Sequence, residues 1–167
     1  MSMISVTLPD GSINEYTTGI TAGEIVIDIE GRKHDCVAAM VDGEQKDFSA
    51  TLDSDCSVTG ISAFDDDGMY ILRHSAAHLL AQAITSIYPD AKPTIGPPVD
   101  RGFYYDFADL NDFGEADLKA VQKKMHELAR RNLTLERKEC TDTELEELFA
   151  SNPYKLEIIK DKLEEGA

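Results

Sequence analysis

The segment Arg73-His74-Ser75-Ala76-Ala77-His78-Leu79-Leu80 places two imidazoles four residues apart in a stretch with helical patterning. Four residues is a little more than one helical turn, so both rings fall on one face and can act together. On a wheel at about 100° per residue, Leu72, Ala76, Leu79, Leu80, Ala83 and Ile87 gather into an apolar stripe. His74, His78, Ala81 and Thr85 gather opposite. A face turned to open water would carry Lys and Glu, so small residues beside two histidines predict the floor of a cleft. The alternative is that the rings merely hydrogen-bond within the fold. Structural and catalytic zinc sites use three or four protein ligands, so two imidazoles alone would make firm zinc binding unusual.

The elements around this pair can be read from turn and cap signals. Ile4 to Leu8 alternates as a strand, Pro9-Asp10-Gly11 marks a turn, and Ile13 to Tyr16 returns. Thr21 with Glu24 has the form of a capping box opening a helix from Ala22 to Ile29, stopped by Gly31. Cys36 to Val41 reads as a buried strand, Asp42-Gly43 as a tight turn, and Ser57 to Ser62 as a further strand. That order predicts a β-grasp (ubiquitin-like) module over 1–64. Three adjacent carboxylates, Asp65-Asp66-Asp67, followed by Gly68, read as a solvated linker; without a matching ligand set they are not a cation site.

A second, α+β domain is expected over 65–167. The histidine helix, Met69 to Tyr88, ends at Pro89. Gly96-Pro97-Pro98 turns the chain into a strand over Gly102 to Phe107. Leu118, Val121, Met125 and Leu128 are spaced as the core stripe of a long helix. Leu133 to Lys138 reads as a strand, Thr141 or Asp142 as the cap of a short helix through Phe149, and Tyr154 to Ile159 as a final strand.

With 167 residues and 42% hydrophobic content the chain can bury two small cores. Its net charge of −16 opposes capture of nucleic acid by the chain as a whole, because phosphate binding relies on Lys and Arg. A local patch could escape that limit: Lys119, Lys123, Lys124, Arg130, Arg131, Arg137 and Lys138 cluster around one helix and the strand expected after it. The competing reading is a solvated face paired with Glu115, Glu127 and Glu136. A saline cytoplasm would also favour the acidic balance. Cys36, Cys56 and Cys140 are odd in number and lack Cys-x-x-Cys spacing, pointing to a reducing compartment without a disulfide framework or zinc ribbon. With no basic leader and no run of about eighteen apolar residues, the expected location is the cytoplasm, without a membrane partner.

Five segments in register carry a family resemblance. They are Leu8-Pro9-Asp10-Gly11-Ser12, the histidine segment, Ile95-Gly96-Pro97 with Gly102-Phe103-Tyr104-Tyr105-Asp106, Met125-His126-Glu127-Leu128-Ala129, and Asn152-Pro153-Tyr154-Lys155. In this order they resemble the N-terminal region of threonyl-tRNA synthetases, a TGS domain followed by the first part of an editing domain. The resemblance implies an editing site that hydrolyses seryl-tRNA(Thr), with the acceptor end of tRNA(Thr) as partner. Discriminating threonine from serine by one methyl gives a synthetic pocket only about 1–3 kcal/mol, so a second site must remove the error.

The resemblance further implies roles. His74 and His78 would orient the ester and the water, Lys155 would assist the water, and Tyr105 would line the pocket. Read without it, Tyr105 is a core or rim aromatic, Lys155 a solvated cation and His126 structural. In the family the site is completed by an aspartate and a Cys-x-x-x-His segment beyond the position of Lys155, so the editing domain is expected to be truncated and its site incomplete here. No aminoacylation and no cofactor are expected of the chain alone; ATP, magnesium and zinc serve the family's catalytic domain. Two alternatives stand beside the fragment: a freestanding deacylase acting in trans, with a homodimer completing the pocket, and a non-catalytic RNA- or partner-binding module.

Overall fold

The computed structural model describes residues 2–133 and 138–164. The chain divides into two compact units, one up to Leu72 and one from Arg73 onward. In the first, β1 (Met3–Thr7) and β2 (Ile13–Thr17) form a hairpin, β3 (Ile20–Thr21) leads into α1 (Ala22–Glu30), and β4 (Cys36–Val41), β5 (Glu44–Lys46), β6 (Thr51–Leu52) and β7 (Cys56–Ser62) come after it. The five-stranded sheet runs β2-β1-β7-β4-β5, with β1 parallel to β7 and its other pairs antiparallel. A mixed sheet with one helix packed against it is the β-grasp arrangement.

Local chemistry explains these elements. Gly11 and Gly43 adopt φ of 84° and 83° at the two hairpin turns, a region open to glycine at little cost. Thr21 accepts the Glu24 N–H, while the Glu24 carboxylate accepts the Thr21 N–H at 2.9 Å, closing the capping box. Ile4, Val6, Ile25, Val26, Val41 and Val58 then meet between sheet and helix as a core. The pairing of β3 with β6, two residues each, is an addition to the sequence reading.

The acidic stretch is not a linker. α2 spans Asp66–Ile87, with Asp66 and Asp67 in its first turn, where carboxylates offset the partial positive charge of the helix N-terminus. The Asp65 carbonyl accepts the Met69 N–H and its carboxylate accepts the Ser62 N–H, so this residue starts the helix.

In the second unit the rest of α2 is succeeded by β8 (Lys92–Pro93), β9 (Pro98–Val99), β10 (Gly102–Phe103), β11 (Phe107–Ala108), α3 (Glu115–Arg130), α4 (Asp142–Leu148) and α5 (Pro153–Glu164). β9 pairs with β10 and β8 with β11, both antiparallel, so one hairpin sits inside another. The expected strand over Gly102 to Phe107 is therefore two short strands interrupted at Tyr104 to Asp106. Ala83, Ile84, Ala91, Val121 and Leu128 form the core, with Phe107, Phe113 and Tyr88 against it.

Three further expectations are corrected. Tyr154 to Ile159 lies in α5 and not in a strand, because Asn152 caps and Pro153 occupies the first helical position, which suits a residue without an N–H. Leu118 is 53% exposed, so it does not join Val121 and Leu128 in the buried part of the α3 stripe. On α2, burial covers Ala77, Ala81, Ala83 and Ile84 whereas Leu72 is exposed, so the core arc reaches into the histidine face at Ala81. Of the two residues offered as the α4 cap, Thr141 takes the position, and Glu144 completes a capping box that the sequence reading did not include. Of the proposed strand over Leu133 to Lys138, residues 134–137 lie outside the described residues.

Candidate functional site

The helical spacing of His74 and His78 has a direct consequence in space. Their Nε2 atoms stand 3.0 Å apart and the rings stack, with centroids at 4.8 Å and planes inclined by 29°. At that distance one Nε2 must donate a proton while the other presents a lone pair, so the pair cannot readily hold two Nε2 protons. Burial lowers the pKa of His78 from its usual 6.5, and the charges of His74 and then Lys155 push it the same way. An imidazole neutral near pH 7 can accept a proton from water or hold its oxygen.

Lys155 reaches this neighbourhood from the first turn of α5. Burial of its half-covered stem lowers its pKa from 10.5. Its position is set by Asn152, which is buried and serves two partners. The Asn152 Oδ1 accepts the Lys155 N–H at 3.2 Å, and its Nδ2 donates to the Pro93 carbonyl at 2.9 Å. Pro93 pairs with Phe107, two residues beyond Tyr105. One amide therefore ties the start of α5 to the hairpin that carries Tyr105. Sequence reasoning gave Asn152 no role; an N-cap residue before Pro was the signal available.

Tyr105 is half-buried, and burial raises its pKa from 10.0, keeping the phenol a proton donor at neutral pH. Its ring lies on Gly96 so closely that a Cβ there would come within 2.1 Å of Cδ2, and it meets Phe107 at 5.0 Å between centroids. The Arg73 guanidinium donates to the Val99 carbonyl at 3.3 Å, linking α2 to the inner hairpin. His126 is exposed on α3, away from the core face of that helix. Among the described residues no group of three His, Cys, Asp or Glu is placed to hold a metal.

Residues 4–60 match the TGS domain family. Over 161 residues, 95% of the chain, it is 42% identical to the threonine–tRNA ligases of Burkholderia multivorans and Burkholderia mallei, and 40% identical to that of Paraburkholderia phytofirmans. The chain is homologous to the N-terminal part of threonine–tRNA ligase. It spans about a quarter of the length of these ligases, 25% in each case. The β-grasp unit is thus the TGS domain, and the histidine pair lies in the stretch that comes after it in threonine–tRNA ligase. Among the described residues no helix is long and apolar enough to cross a membrane.

The charge state of His78 can be tested directly. We expect its imidazole, monitored by NMR, to titrate below pH 6.5, and Lys155→Met to raise that midpoint, since the variant removes a repelling cation. An unfolded His78 takes its proton near pH 6.5 while the folded one resists it until lower pH. Its contribution to stability therefore falls as pH drops below about 6.5. A midpoint at or above 6.5 would contradict this picture.

Proposed function

We propose that the chain acts as the N-terminal region of a threonine–tRNA ligase, a TGS domain over 1–64 and an editing-type domain over 65–167, whose histidine pair handles the ester of seryl-tRNA(Thr). The observation that carries the proposal is the approach of His74 and His78 to 3.0 Å, beside the charge of Lys155. Ester hydrolysis needs an oriented water and somewhere for its proton to go. In this reading one imidazole takes up that proton as the water attacks the seryl carbonyl and returns it to the departing 3′-oxygen as the acyl C–O bond breaks, the other ring holds the ester, and Lys155 positions the water and offsets negative charge developing on the carbonyl oxygen.

Tyr105 supplies a wall. Its ring, seated on Gly96 and against Phe107, has little room to retreat, and a rigid wall is what excludes the extra methyl of threonine while admitting serine. The 3′-terminal adenosine of tRNA(Thr) is the proposed partner at this histidine pair, both of whose imidazoles are exposed and not on the floor of a cleft as the sequence suggested.

The test is to titrate the chain with a non-hydrolysable ligand, serine joined through an amide to 3′-amino-3′-deoxyadenosine, while observing the imidazole signals. The expected result is a saturable shift of both His74 and His78. Silent imidazoles at millimolar ligand would overturn the proposal.

A further inference from the structure

The five-stranded sheet of the first unit ends on two different edges. β5 is three residues long and its Lys46 is tied to Glu44 at 2.7 Å, so that edge is short and charged. β2 is five residues long, carries neither lysine nor proline, and among the described residues pairs only with β1. The Leu8 N–H donates to the Ser12 carbonyl and the Thr18 N–H to the Ser2 carbonyl, which fixes the parity of the hairpin. Val6 with Asn14 and Ile4 with Tyr16 are then the hydrogen-bonded pairs. Ile13, Glu15 and Thr17, all exposed, therefore turn their N–H and C=O groups to the free side of the strand, about 7 Å from one to the next.

A shallow groove follows this edge between β2 and the start of α1, with Tyr16, Thr18 and Ile20 along it and the carboxylates of Glu15 and Glu24 at its sides. Asp28 joins them from α1, where its carboxylate accepts the Tyr16 hydroxyl at 2.7 Å. The unit carries three cations, Arg32, Lys33 and Lys46, against fourteen carboxylates, and none of the three lines the groove. We propose that the β2 edge docks an extended basic segment of a partner protein, which adds to the sheet as an antiparallel strand, the more stable pairing per residue. Neither the histidine pair nor its ester takes part.

Alternation of faces and charge complementarity set what that segment looks like. Asn14 and Tyr16 share the α1 face of the sheet with buried Ile4 and Val6, whereas Ile13, Glu15 and Thr17 lie on the other face with Met3, Ser5 and Thr7. Residues of an antiparallel partner that hydrogen-bond Ile13, Glu15 and Thr17 project onto that second face, where Ile13 and Met3 are 66% and 53% exposed. Apolar, β-branched side chains suit those positions. The residues between them project toward Asp28 and Glu24, where lysine or arginine meets two carboxylates. The edge thus selects apolar and basic residues in strict alternation. A second copy of the chain does not supply them, because two β2 edges paired antiparallel about their centres would set Glu15 opposite Glu15.

The experiment is amide NMR of the whole chain, titrated at low salt with a peptide of about eight residues in which lysine and valine alternate, capped at both ends. We expect saturable shifts of the Ile13, Glu15 and Thr17 amides, slowed hydrogen exchange at all three, and weaker binding as salt screens the carboxylates. N-methylation of every valine nitrogen removes the donors that face β2 and should weaken binding about twentyfold or more. N-methylation of every lysine nitrogen blocks only the far side of the added strand and should stay within about threefold of the plain peptide. The two isomers carry the same charge, so the difference between them reads the backbone pairing alone.

On the protein side, Glu15→Gln, Glu24→Gln, Asp28→Asn keeps an acceptor at each position and should weaken the plain peptide about fivefold. Glutamine at 24 still serves the capping box. The same loss of charge around the other edge, Asp42→Asn, Glu44→Gln, Asp47→Asn, should leave binding within about twofold. The methylated pair is read on the unaltered chain, so the decisive comparison needs no variant. Equal binding of the two methylated isomers, the reverse order, shifts centred on β5, or no saturable binding at millimolar peptide would each overturn the proposal. Self-association of the chain with slowed exchange at Ile13, Glu15 and Thr17 in the absence of peptide would overturn it as well, since a second copy would then hold the edge.

Discussion

Asn152→Ala should lower the melting temperature of the second unit by on the order of 10 °C or more. Two losses combine. The helix α5 loses the side chain that accepts the Lys155 N–H, a cap worth about 1 kcal/mol. The Pro93 carbonyl loses the Nδ2 donor at 2.9 Å, and leaving a covered carbonyl unsatisfied costs about 1–3 kcal/mol. For a domain of 60–100 residues each kcal/mol moves the midpoint by about 4–8 °C. Asn152→Ser keeps a capping oxygen but cannot reach Pro93, so it should recover about 1 kcal/mol. Asn152→Asp retains the cap yet turns an acceptor toward an acceptor, and should recover no more than serine does. Because the same residue fixes the first turn of α5, the alanine variant should also move the His78 midpoint upward as Lys155 is displaced. A melting temperature unchanged by Asn152→Ala would remove the tie between α5 and the hairpin from the account.

Gly68→Ala should damage the first unit by about 3 kcal/mol. Gly68 is buried in the first turn of α2, and a Cβ there would lie 1.8 Å from the Ser62 carbonyl oxygen and 2.7 Å from its carbon. Both are backbone atoms at the end of β7, so no rotamer change relieves the overlap and either the helix start or the strand end must shift. Gly102→Ala is the matched control, because a Cβ there meets nothing within 4 Å. Hydrogen exchange read by mass spectrometry distinguishes the units: protection should fall around β7 and the start of α2 for Gly68→Ala and stay unchanged for Gly102→Ala. Equal protection in the two variants would contradict the close approach.

Where structure depended on a few neighbouring residues, it was legible in the chain. The turns at Gly11 and Gly43 and the capping box at Thr21 are each determined within four residues and are as read, and the cap of α4 is Thr141, one of the two residues offered for it. The helical spacing of His74 and His78 likewise brought the rings to one face. Competing local patterns account for the misses. Tyr154, Leu156 and Ile158 alternate like a strand, but Leu156, Ile159 and Leu163 also share a helical face, and the Asn152-Pro153 start decides for the helix. Asp65 to Asp67 repel one another as a linker would, yet two of them gain more at the N-terminus of α2.

Other features are long-range and leave no periodic trace. The bond from Asn152 to Pro93 crosses 59 positions, and the seat of Tyr105 on Gly96 depends on the nested hairpins. Neither can be reached by counting residues along the chain. Burial of Ala81 on the histidine face is of the same kind, since a helical wheel places residues around an axis without saying what comes to cover them.

Whether the two imidazoles form a subsite for a seryl ester decides the proposed function, and the most direct measurement is the titration with the serine amide of 3′-amino-3′-deoxyadenosine, run beside its threonine counterpart. The expected result is saturable shifts of the His74 and His78 signals with the serine ligand, at least tenfold weaker binding of the threonine ligand, and loss of serine binding in His78→Ala. Equal binding of the two ligands, or shifts confined to residues other than the histidine pair, would contradict it.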